Sequence, residues 1–294
     1  MRLSVTIITK NEAAHIVDCI ESVAFADEVI VLDSGSTDDT CALAERAGAK
    51  VFKSADWPGF GPQKNRALDY AQGEWVLSLD ADERVSSELA QQILAVIGPK
   101  ANETDNREAQ ETQEAQETQK APDASNAPDA YELSRLSCYG GRWMQHSGWH
   151  PDFVLRLFRR TQARFSDDLV HESVQYQGAV GQLQGVIYHY PYDSVETHIK
   201  KMDHYSTAAA QSLWARGRKI SIAGILLKMF WTFVRVYIIR RGFLDGKQGL
   251  ILALMAATGN MYRYSKLWFL QNDVDWHPAM PTRETNKQKD PDTL

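Results

Sequence analysis

The first third of the chain alternates short apolar runs with segments that repeat apolar residues at helical spacing. The apolar runs are LSVTIIT (3–9), EVIVLD (28–33), KVFK (50–53) and WVLSLD (75–80). The spacing between them predicts one helix from about Ala13 to Val23 and a second from about Thr37 to Ala47. Strands that alternate with helices in this way form a doubly wound, mostly parallel sheet flanked by helices. We therefore expect an α/β fold.

Polar residues lie at the ends of three of these predicted strands. Thr9-Lys10-Asn11-Glu12 follows the first strand, Asp33-Ser34-Gly35-Ser36 ends the second, and Asp80-Ala81-Asp82 ends the fourth. In an open parallel sheet, ligands bind beyond the carboxyl ends of the strands. The three motifs are therefore expected to form one site.

The remainder of the chain divides by composition. Residues 98–130 contain the hexamer EAQETQ twice and APDA twice, and we expect this low-complexity insert to be disordered. Residues 131–190 alternate strand-like runs with aromatic and Gly-rich turns, residues 191–270 are mostly helical in pattern, and residues 271–294 are predicted to be a disordered tail. Residues 1–97 and 131–190 are then two halves of one sheet domain, with a helical C-terminal extension.

Charge is unevenly distributed along the chain. The net charge is −6, but residues 1–97 carry 8 basic and 16 acidic side chains, whereas residues 133–270 carry 18 basic and 8 acidic ones. Clustered Lys and Arg attract phosphate. The basic segment is therefore expected either to face an anionic partner, such as a phosphorylated glycolipid or a membrane surface, or to be a solvated basic face. A nucleic-acid partner is not expected.

The cysteines indicate a reducing compartment. The chain has three, Cys19, Cys41 and Cys138, widely spaced and without a CxxC pair. This pattern favours neither a disulfide framework nor a thiolate zinc site. The simplest location is the cytosol.

One long apolar run lies in the helical region. Residues 220–239, ISIAGILLKMFWTFVRVYII, are nearly long enough to span a bilayer, but Lys228 and Arg235 lie within the run. Charges at the centre of a bilayer are costly. A helix that lies in the membrane interface, or that packs on the sheet domain, therefore fits better than a spanning one.

The acidic triplet at the end of the fourth strand is a candidate metal site. Asp80 and Asp82 are separated by one small residue, so both carboxylates can reach one hard cation, leaving positions for the two phosphates of a nucleotide diphosphate. Mg²⁺ and Mn²⁺ both prefer oxygen ligands, so the sequence does not separate them. The alternative is an ordinary solvated acidic turn.

The turn after the second strand, SGSTDDT, has two interpretations. Ser36 or Thr37 fits a helix N-cap, with acidic residues next to it that favour the helix dipole. Asp33 is not explained by a cap, and a carboxylate at the end of a strand suits a hydrogen bond to a base N–H or a ribose hydroxyl. Lys64 and Arg66, in GPQKNRAL, are the cations expected to meet a diphosphate.

Residues 1–97 resemble the family 2 glycosyltransferases of the GT-A fold. The resemblance rests on VTIITKNEAAHI, VIVLDSGSTDDT and QKNRALDYAQGEWVLSLDADE, which occur in the family's order. It implies a donor half that binds a UDP-sugar, a Mg²⁺ or Mn²⁺ cofactor bound by Asp80 and Asp82, and inversion at the anomeric carbon, with Asp82 essential for catalysis. The donor-binding residues that it implies are Thr9, Asn11, Glu12, Asp33, Lys64 and Asp80.

An inverting transferase of this family needs a general base that deprotonates the acceptor hydroxyl. The downstream candidates are Asp152, Asp167, Asp168 and Glu172. Glu172, in LVHESV, is preferred because a His-Glu pair at this distance is the form that the lipopolysaccharide core branch of the family uses. The alternative is a surface residue paired with an arginine.

The second half of the chain resembles the β-1,4-glucosyltransferases that act on the first heptose of the lipopolysaccharide inner core. The similar segments are GWHPDFVLRLFRR, the VHE segment, IYHYPYDSVETHIKKMDHYS and RRGFLDGKQGLILA. The resemblance implies UDP-glucose as donor, an anionic glycolipid acceptor, and peripheral association with the cytoplasmic face of the inner membrane. Four arginines were considered as contacts for acceptor phosphate or carboxylate, or as plain surface: Arg156, Arg159, Arg160 and Arg164.

Three other functions remain open from the sequence. A polyprenyl-phosphate sugar transferase would share the donor half and would use the apolar run at 220–239. A sugar-nucleotide pyrophosphorylase would be expected to carry a Gly-rich phosphate loop near the N-terminus, which residues 9–12 do not form. A non-catalytic binding module would need neither the acidic triplet nor a downstream base.

Overall fold

The computed structural model describes residues 1–98, 128–166 and 173–274. The strands are β1 Leu3–Thr9, β2 Glu28–Asp33, β3 Lys50–Lys53, β4 Trp75–Asp80, β5 Glu83–Val85, β6 Ala130–Tyr139, β7 Arg142–Trp143, β8 Asp152–Arg159, β9 Ala163–Phe165, β10 Val174–Tyr176 and β11 Val180–His189. The helices are α1 Ile16–Glu21, α2 Thr40–Arg46, α3 Phe60–Tyr70, α4 Ser87–Ile97, α5 Val195–Ala215, α6 Ile222–Val234 and α7 Gly246–Asn272. A π-helical turn, Arg235–Ile239, and a 3₁₀ turn, Gly242–Asp245, join α6 to α7.

One large sheet organises the sheet domain. Its strand order is β3-β2-β1-β4-β8-β6-β11-β5, with β7 paired to β6, and β9 and β10 form a separate two-stranded sheet. The first four strands pair in parallel, and the direction changes at β8, which is antiparallel to both β4 and β6. The predicted α/β class, a GT-A-type sheet flanked by helices with a helical C-terminal extension, is confirmed.

The central position of β1 determines where the polar motifs lie. All seven residues of β1 are buried, because strands cover both its edges and helices cover its faces. Its register pairs Thr9 with Asp33 on β2 and Ile8 with Asp80 on β4. The three polar motifs are therefore side by side at one edge of the sheet, as the sequence predicted.

The four N-terminal strands have the predicted bounds, but the first two helices are shorter than expected. The structure has α1 over Ile16–Glu21 and α2 over Thr40–Arg46. The predicted N-cap at Ser36 or Thr37 is wrong. Ser36 donates its hydroxyl to Asp33 and the Thr37 N–H donates to the Asn11 side chain, so both residues are held in a turn before the helix.

A buried carboxylate joins the helical region to the sheet domain. Asp245 is 1% exposed and accepts hydrogen bonds from the Gln145 and His146 backbone N–H groups at 3.1 Å and from the Ser147 hydroxyl at 2.8 Å. A buried carboxylate is stable only when its oxygens are satisfied in this way. The RRGFLDGKQG segment therefore has a structural role, because it attaches α7 to the loop after β7.

Several predicted boundaries fall outside the described part of the chain. Residues 99–127 make up most of the predicted insert, and residues 275–294 make up most of the predicted tail. The predicted division at 190/191 falls in the connection between the end of β11 at His189 and the start of α5 at Val195. These domain assignments otherwise stay predictions.

Candidate active site

A cleft of about 400 Å³ opens at the carboxyl ends of β1 and β4. Four of the predicted site residues line it: Thr9, Glu12, Asp80 and Asp82. They meet because Ile8 pairs with Asp80, which places the chain after β1 beside the triplet after β4. A cleft of this size, with convergent polar groups at strand ends, has the form of a small-molecule site.

Two cations hold the carboxylate of Asp80. The Lys64 ammonium lies 3.0 Å from Oδ1, and the Arg156 guanidinium donates to Oδ2 at 2.7 Å. Burial by itself would raise the pKa of Asp80, but the charges of Arg156 and Lys64 outweigh it and hold that pKa far below its usual range. Asp80 is therefore ionised at every physiological pH, and both its oxygens already have cationic partners.

Glu83 stabilises the turn that contains the Asp80-Ala81-Asp82 triplet. It is fully buried, it accepts the backbone N–H of Asp80 at 2.9 Å, and it accepts from Arg156 at 3.0 Å. Arg135 approaches the same carboxylate at 3.4 Å. The fourth residue of the DADE motif thus positions the turn and balances the charge of Arg156, a role that the sequence did not reveal.

His189 lies close to Asp82. Its Nε2 lies 3.6 Å from the Asp82 carboxylate, because β11 pairs with β5 and brings His189 opposite Glu83. Its other ring nitrogen, Nδ1, lies 2.9 Å from the Ser137 hydroxyl. A hydrogen bond at one ring nitrogen orients the ring and leaves the other nitrogen available to a ligand.

Asp82 and His189 are a further candidate pair for a divalent cation, beside the predicted pair Asp80 and Asp82. Both oxygens of Asp80 have cationic partners in Lys64 and Arg156, whereas Asp82 faces an imidazole across the cleft. No group of three potential ligands occurs among the described residues. Mg²⁺ commonly takes one or two carboxylate ligands and completes its shell with substrate phosphates and water, so a site of this kind does not need three protein ligands.

Glu12 has an unusual protonation equilibrium. Burial and the nearby charge of Asp82 raise the pKa of Glu12 to about 7, against the opposing effect of His15 and Lys201. Its backbone N–H donates to the Thr40 hydroxyl at 2.8 Å, which fixes the segment after β1 against α2. At neutral pH this carboxyl is therefore divided between the charged and the neutral form.

Asn11 and Asp33 connect the loop after β1 to the loop after β2, and neither is among the residues that line the cleft. The Asp33 carboxylate accepts the backbone N–H groups of Gly35 at 2.9 Å and Ser36 at 3.0 Å, and Gly35 has a φ of +87°, which glycine adopts without strain. Asn11 donates its N–H to the Ser36 hydroxyl at 2.8 Å and accepts the Thr37 N–H at 2.8 Å. Both side chains have structural partners in this turn, and their predicted contacts with a nucleoside stay predictions.

The predicted general base, Glu172, lies outside the described residues, as do its competitors Asp167 and Asp168. The described candidate, Asp152, is 38% exposed and accepts from Arg135 at 2.7 Å. The assignment of the base therefore stays a prediction.

The four arginines considered for acceptor binding do not form one cluster. Arg156 reaches Asp80 at the cleft, but Arg159 pairs in register with Trp75 at the opposite end of β4. At about 3.3 Å per residue, that position is roughly 17 Å from the triplet. The Arg159 guanidinium there contacts Glu74.

The other two arginines are also engaged away from the cleft. Arg160 donates to the carbonyl of Gly73 at 3.0 Å, and Arg164 pairs with Asp69 on α3 at 2.5 Å. The hypothesis of a single acceptor-binding arginine cluster is therefore wrong, because Arg156 reaches Asp80 at the carboxyl end of β4, Arg159 pairs with Trp75 at its other end, and Arg160 and Arg164 bind Gly73 and Asp69.

Five residues of the cleft were not identified from the sequence. They are Trp57, Phe60, His189, Lys201 and Tyr205. Trp57 and Phe60 pack edge to face, with ring centroids 4.9 Å apart. Lys201 and Tyr205 belong to α5, so the helical region forms one wall of the cleft. The signal for His189 and Lys201 is in IYHYPYDSVETHIKK, a segment that resembles the lipopolysaccharide core enzymes but whose residue pattern by itself predicts no site role.

Comparisons with known proteins show similarity to glycosyltransferases. The profile of Glycosyl transferase family 2 matches residues 4–133. An uncharacterized glycosyltransferase of Rickettsia typhi is 32% identical over 276 residues, covering 90% of this chain and 86% of the relative. The lipopolysaccharide core biosynthesis glycosyltransferase LpsC of Rhizobium meliloti is 26% identical over 281 residues, covering 90% of this chain and 93% of that protein.

A solved structure similar to this chain over most of its length is S. aureus TarS 1-349 in complex with UDP. It has a TM-score of 0.44 and 17% identity, and the match covers 94% of this chain and 93% of that one. The family match, the full-length relatives and the strand-end cleft lead to one conclusion. The protein is a member of glycosyltransferase family 2.

Proposed function

We propose that this glycosyltransferase moves a hexose from a UDP-sugar to the core of lipopolysaccharide, with inversion at the anomeric carbon and with a divalent cation. The observation that carries the proposal is the cleft beyond β1 and β4, where Glu12, Asp82 and His189 converge beside two aromatic rings. A nucleotide diphosphate needs cations at the phosphates and an apolar or aromatic wall for the remainder of the ligand. The cleft offers both.

Asp82 and His189 would hold Mg²⁺ or Mn²⁺, on the geometry described above. When bound, such an ion neutralises charge on the diphosphate leaving group. Asp80 holds Lys64 and Arg156 in place next to that position, so it would act by orienting cations. Lys201, which lines the cleft from α5, is proposed as a further contact for the diphosphate.

The acceptor side is proposed from the relatives and from the resemblance in the second half of the chain. LpsC is named for lipopolysaccharide core biosynthesis and is similar to this chain along nearly its whole length. Glucose as the sugar and heptose as the acceptor are proposals on that basis. Glu172 is proposed as the base that removes the acceptor proton as the new β-linkage forms. We place the enzyme at the cytoplasmic face of the inner membrane.

The test is a panel of nucleotide sugars offered to the pure protein with Mg²⁺ or Mn²⁺ and a deacylated core oligosaccharide, following UDP release and product mass. We expect release from UDP-glucose that depends on both metal and oligosaccharide, and EDTA to abolish it. Release that needs no metal would contradict the proposed cofactor. A product formed only on polyprenyl phosphate would move the assignment to that class of transferase.

A further inference from the structure

The helical region exposes a large apolar surface on one side. It is formed by α6, the turn after it and the start of α7, and we name it the apolar surface. Its exposed side chains include Leu227, 67% exposed, Phe230, 62%, Trp231, 53%, Leu254, 51%, and Phe243 and Ile251, each 48%. Soluble monomers rarely expose a contiguous apolar patch larger than a few hundred Å². Six large side chains that are half exposed or nearly so exceed what a solvated surface needs.

The opposite side of α6 is packed against the rest of the helical region. Ile225, Thr232 and Val236 are buried there, and the Asn260 side chain of α7 donates to the Thr232 hydroxyl at 2.6 Å. The buried Asp245 attaches the following turn to the sheet domain. These attachments make α6 part of the folded unit rather than a separate hydrophobic helix.

The stretch Ile222–Ile239 is long and apolar enough by composition to cross a membrane, and 17% of it is buried. Its two charges show why it is expected to lie flat instead. Lys228 and Arg235 are exposed and are seven residues apart, which places them two turns apart on the same flank of the helix. A charged flank beside an apolar face is the pattern of a helix in the membrane interface.

Further cations surround the apolar surface where α6 turns into α7. Arg240, Arg241 and Lys247 are exposed at this corner. The only acidic residue of the turn, Asp245, is buried and bound to backbone N–H groups. Long basic side chains can reach phosphate while their stems lie on apolar material. The charge around the surface is therefore complementary to an anionic bilayer.

From these observations we propose that the apolar surface docks in the plane of an anionic lipid bilayer, with Phe230, Trp231 and their neighbours in the acyl boundary and the surrounding cations at the headgroups. The proposal deepens the proposed function and rests on it, since a glycolipid acceptor lies in such a bilayer. Because α5 packs on α7 and also carries Lys201 and Tyr205 into the cleft, docking would hold the donor cleft at a fixed height above the membrane.

The test measures binding to vesicles of phosphatidylcholine alone or mixed with phosphatidylglycerol, by co-sedimentation of the full-length protein. We expect binding to the mixed vesicles, and a loss of at least about tenfold in affinity for Leu227→Glu combined with Phe230→Glu, since both apolar side chains would then carry a charge into the acyl boundary. The matched control is Leu94→Glu, at an exposed leucine of α4, which should bind as the wild type does.

A second variant tests the charges without touching the apolar residues. Lys228→Gln combined with Arg235→Gln should bind phosphatidylcholine as before and lose most of the preference for phosphatidylglycerol. Equal binding by wild type and both double variants would overturn the proposal. So would vesicle-bound protein that resists alkaline carbonate extraction, because that indicates a spanning helix.

Sedimentation equilibrium separates lipid binding from self-association. A wild-type dimer that becomes a monomer in the Leu227/Phe230 variant, with no vesicle binding by either, would assign the surface to a second copy and overturn the proposal. UDP release with the deacylated oligosaccharide is followed in parallel and should be unchanged in every variant. Absence of that activity in the wild type would refute the proposed function while leaving the vesicle result intact.

Discussion

The donor cleft and the helical region differ in whether their charged and apolar side chains find partners within the chain. In the cleft, the buried charges are paired: Asp80 with Lys64 and Arg156, and Glu83 with Arg156. In the helical region, apolar side chains such as Leu227 and Phe230 remain exposed. The first arrangement suits a site that is complete within the chain except for its ligand, because unpaired buried charge is costly. The second arrangement suits a surface that binds a membrane or another molecule.

Asp82 is the residue of the cleft whose replacement should have the largest effect on activity. Asp82→Ala should reduce transfer at least about a thousandfold and should abolish the metal dependence of UDP binding, because the carboxylate opposite His189 is lost. Turnover assays and calorimetry of UDP with and without Mn²⁺ measure both effects. Asp69→Ala, at an exposed carboxylate on α3, is the control. Full activity in Asp82→Ala would remove the basis for a metal site here.

The acceptor side can be separated from the donor side by one isosteric change. Glu172→Gln should leave the Kd for UDP unchanged and reduce kcat by about a hundredfold or more, because a neutral amide cannot accept the acceptor proton. Steady-state kinetics and UDP titration on the same preparation measure the two quantities. Undiminished turnover would make Asp167 or Asp168 the better candidate for the base.

Gly249 on α7 tests how tightly the helical region packs where it joins the sheet domain. A Cβ at Gly249 would clash with the backbone carbonyl oxygen of Gly242, so Gly249→Ala should destabilise the protein by about 2 to 3 kcal/mol through overpacking. Gly259→Ala on the same helix is the control, since its Cβ would meet only the flexible end of Met202, at 3.2 Å. Urea unfolding measures both. Equal stability of the two variants would contradict the expected clash between residue 249 and the Gly242 carbonyl.

Lys201 links the helical region to the cleft. Lys201→Ala should weaken UDP binding by about tenfold, the usual size of a hydrogen bond to a charged group, and should leave uridine binding unchanged. Lys200→Ala, at the exposed preceding residue, should leave both unchanged. The ammonium of Lys201 also donates to the carbonyl of Pro191 at 2.9 Å. A purely structural role would lower Tm and weaken UDP and uridine binding alike.

The smallest effect concerns Glu12. Its folded pKa of about 7 lies above the ordinary value of 4.5, so the folded protein binds this proton more tightly than the unfolded chain does. The wild type should therefore lose stability relative to Glu12→Gln as the pH rises from about 4.5 to 7, and the difference should level off above that. Allowing for partial exposure, we expect on the order of 1 kcal/mol. Urea unfolding at several pH values measures it, and a constant difference would contradict the raised pKa.

Local pattern was sufficient to predict much of the fold. The four N-terminal strands have their predicted bounds because their apolar runs are short, β-branched and interrupted by turn residues. The placement of Thr9, Glu12, Asp80 and Asp82 around one cleft followed from the rule that parallel strands end at one edge. The predicted helix starts were less accurate. The start of α2 is later than predicted because the side chains of Asn11 and Asp33 accept hydrogen bonds from the turn before the helix.

The sequence by itself determined the sheet, the strand-end motifs and the family, since each depends on residues close together in the chain. Only the tertiary structure decided which residues surround those motifs. Arg156 reaches Asp80 and His189 approaches Asp82 because β8 and β11 have particular registers, whereas Arg159, three residues beyond Arg156, pairs with Trp75 at the start of β4. Pairing between distant strands depends on packing along the whole sheet, which local pattern does not encode.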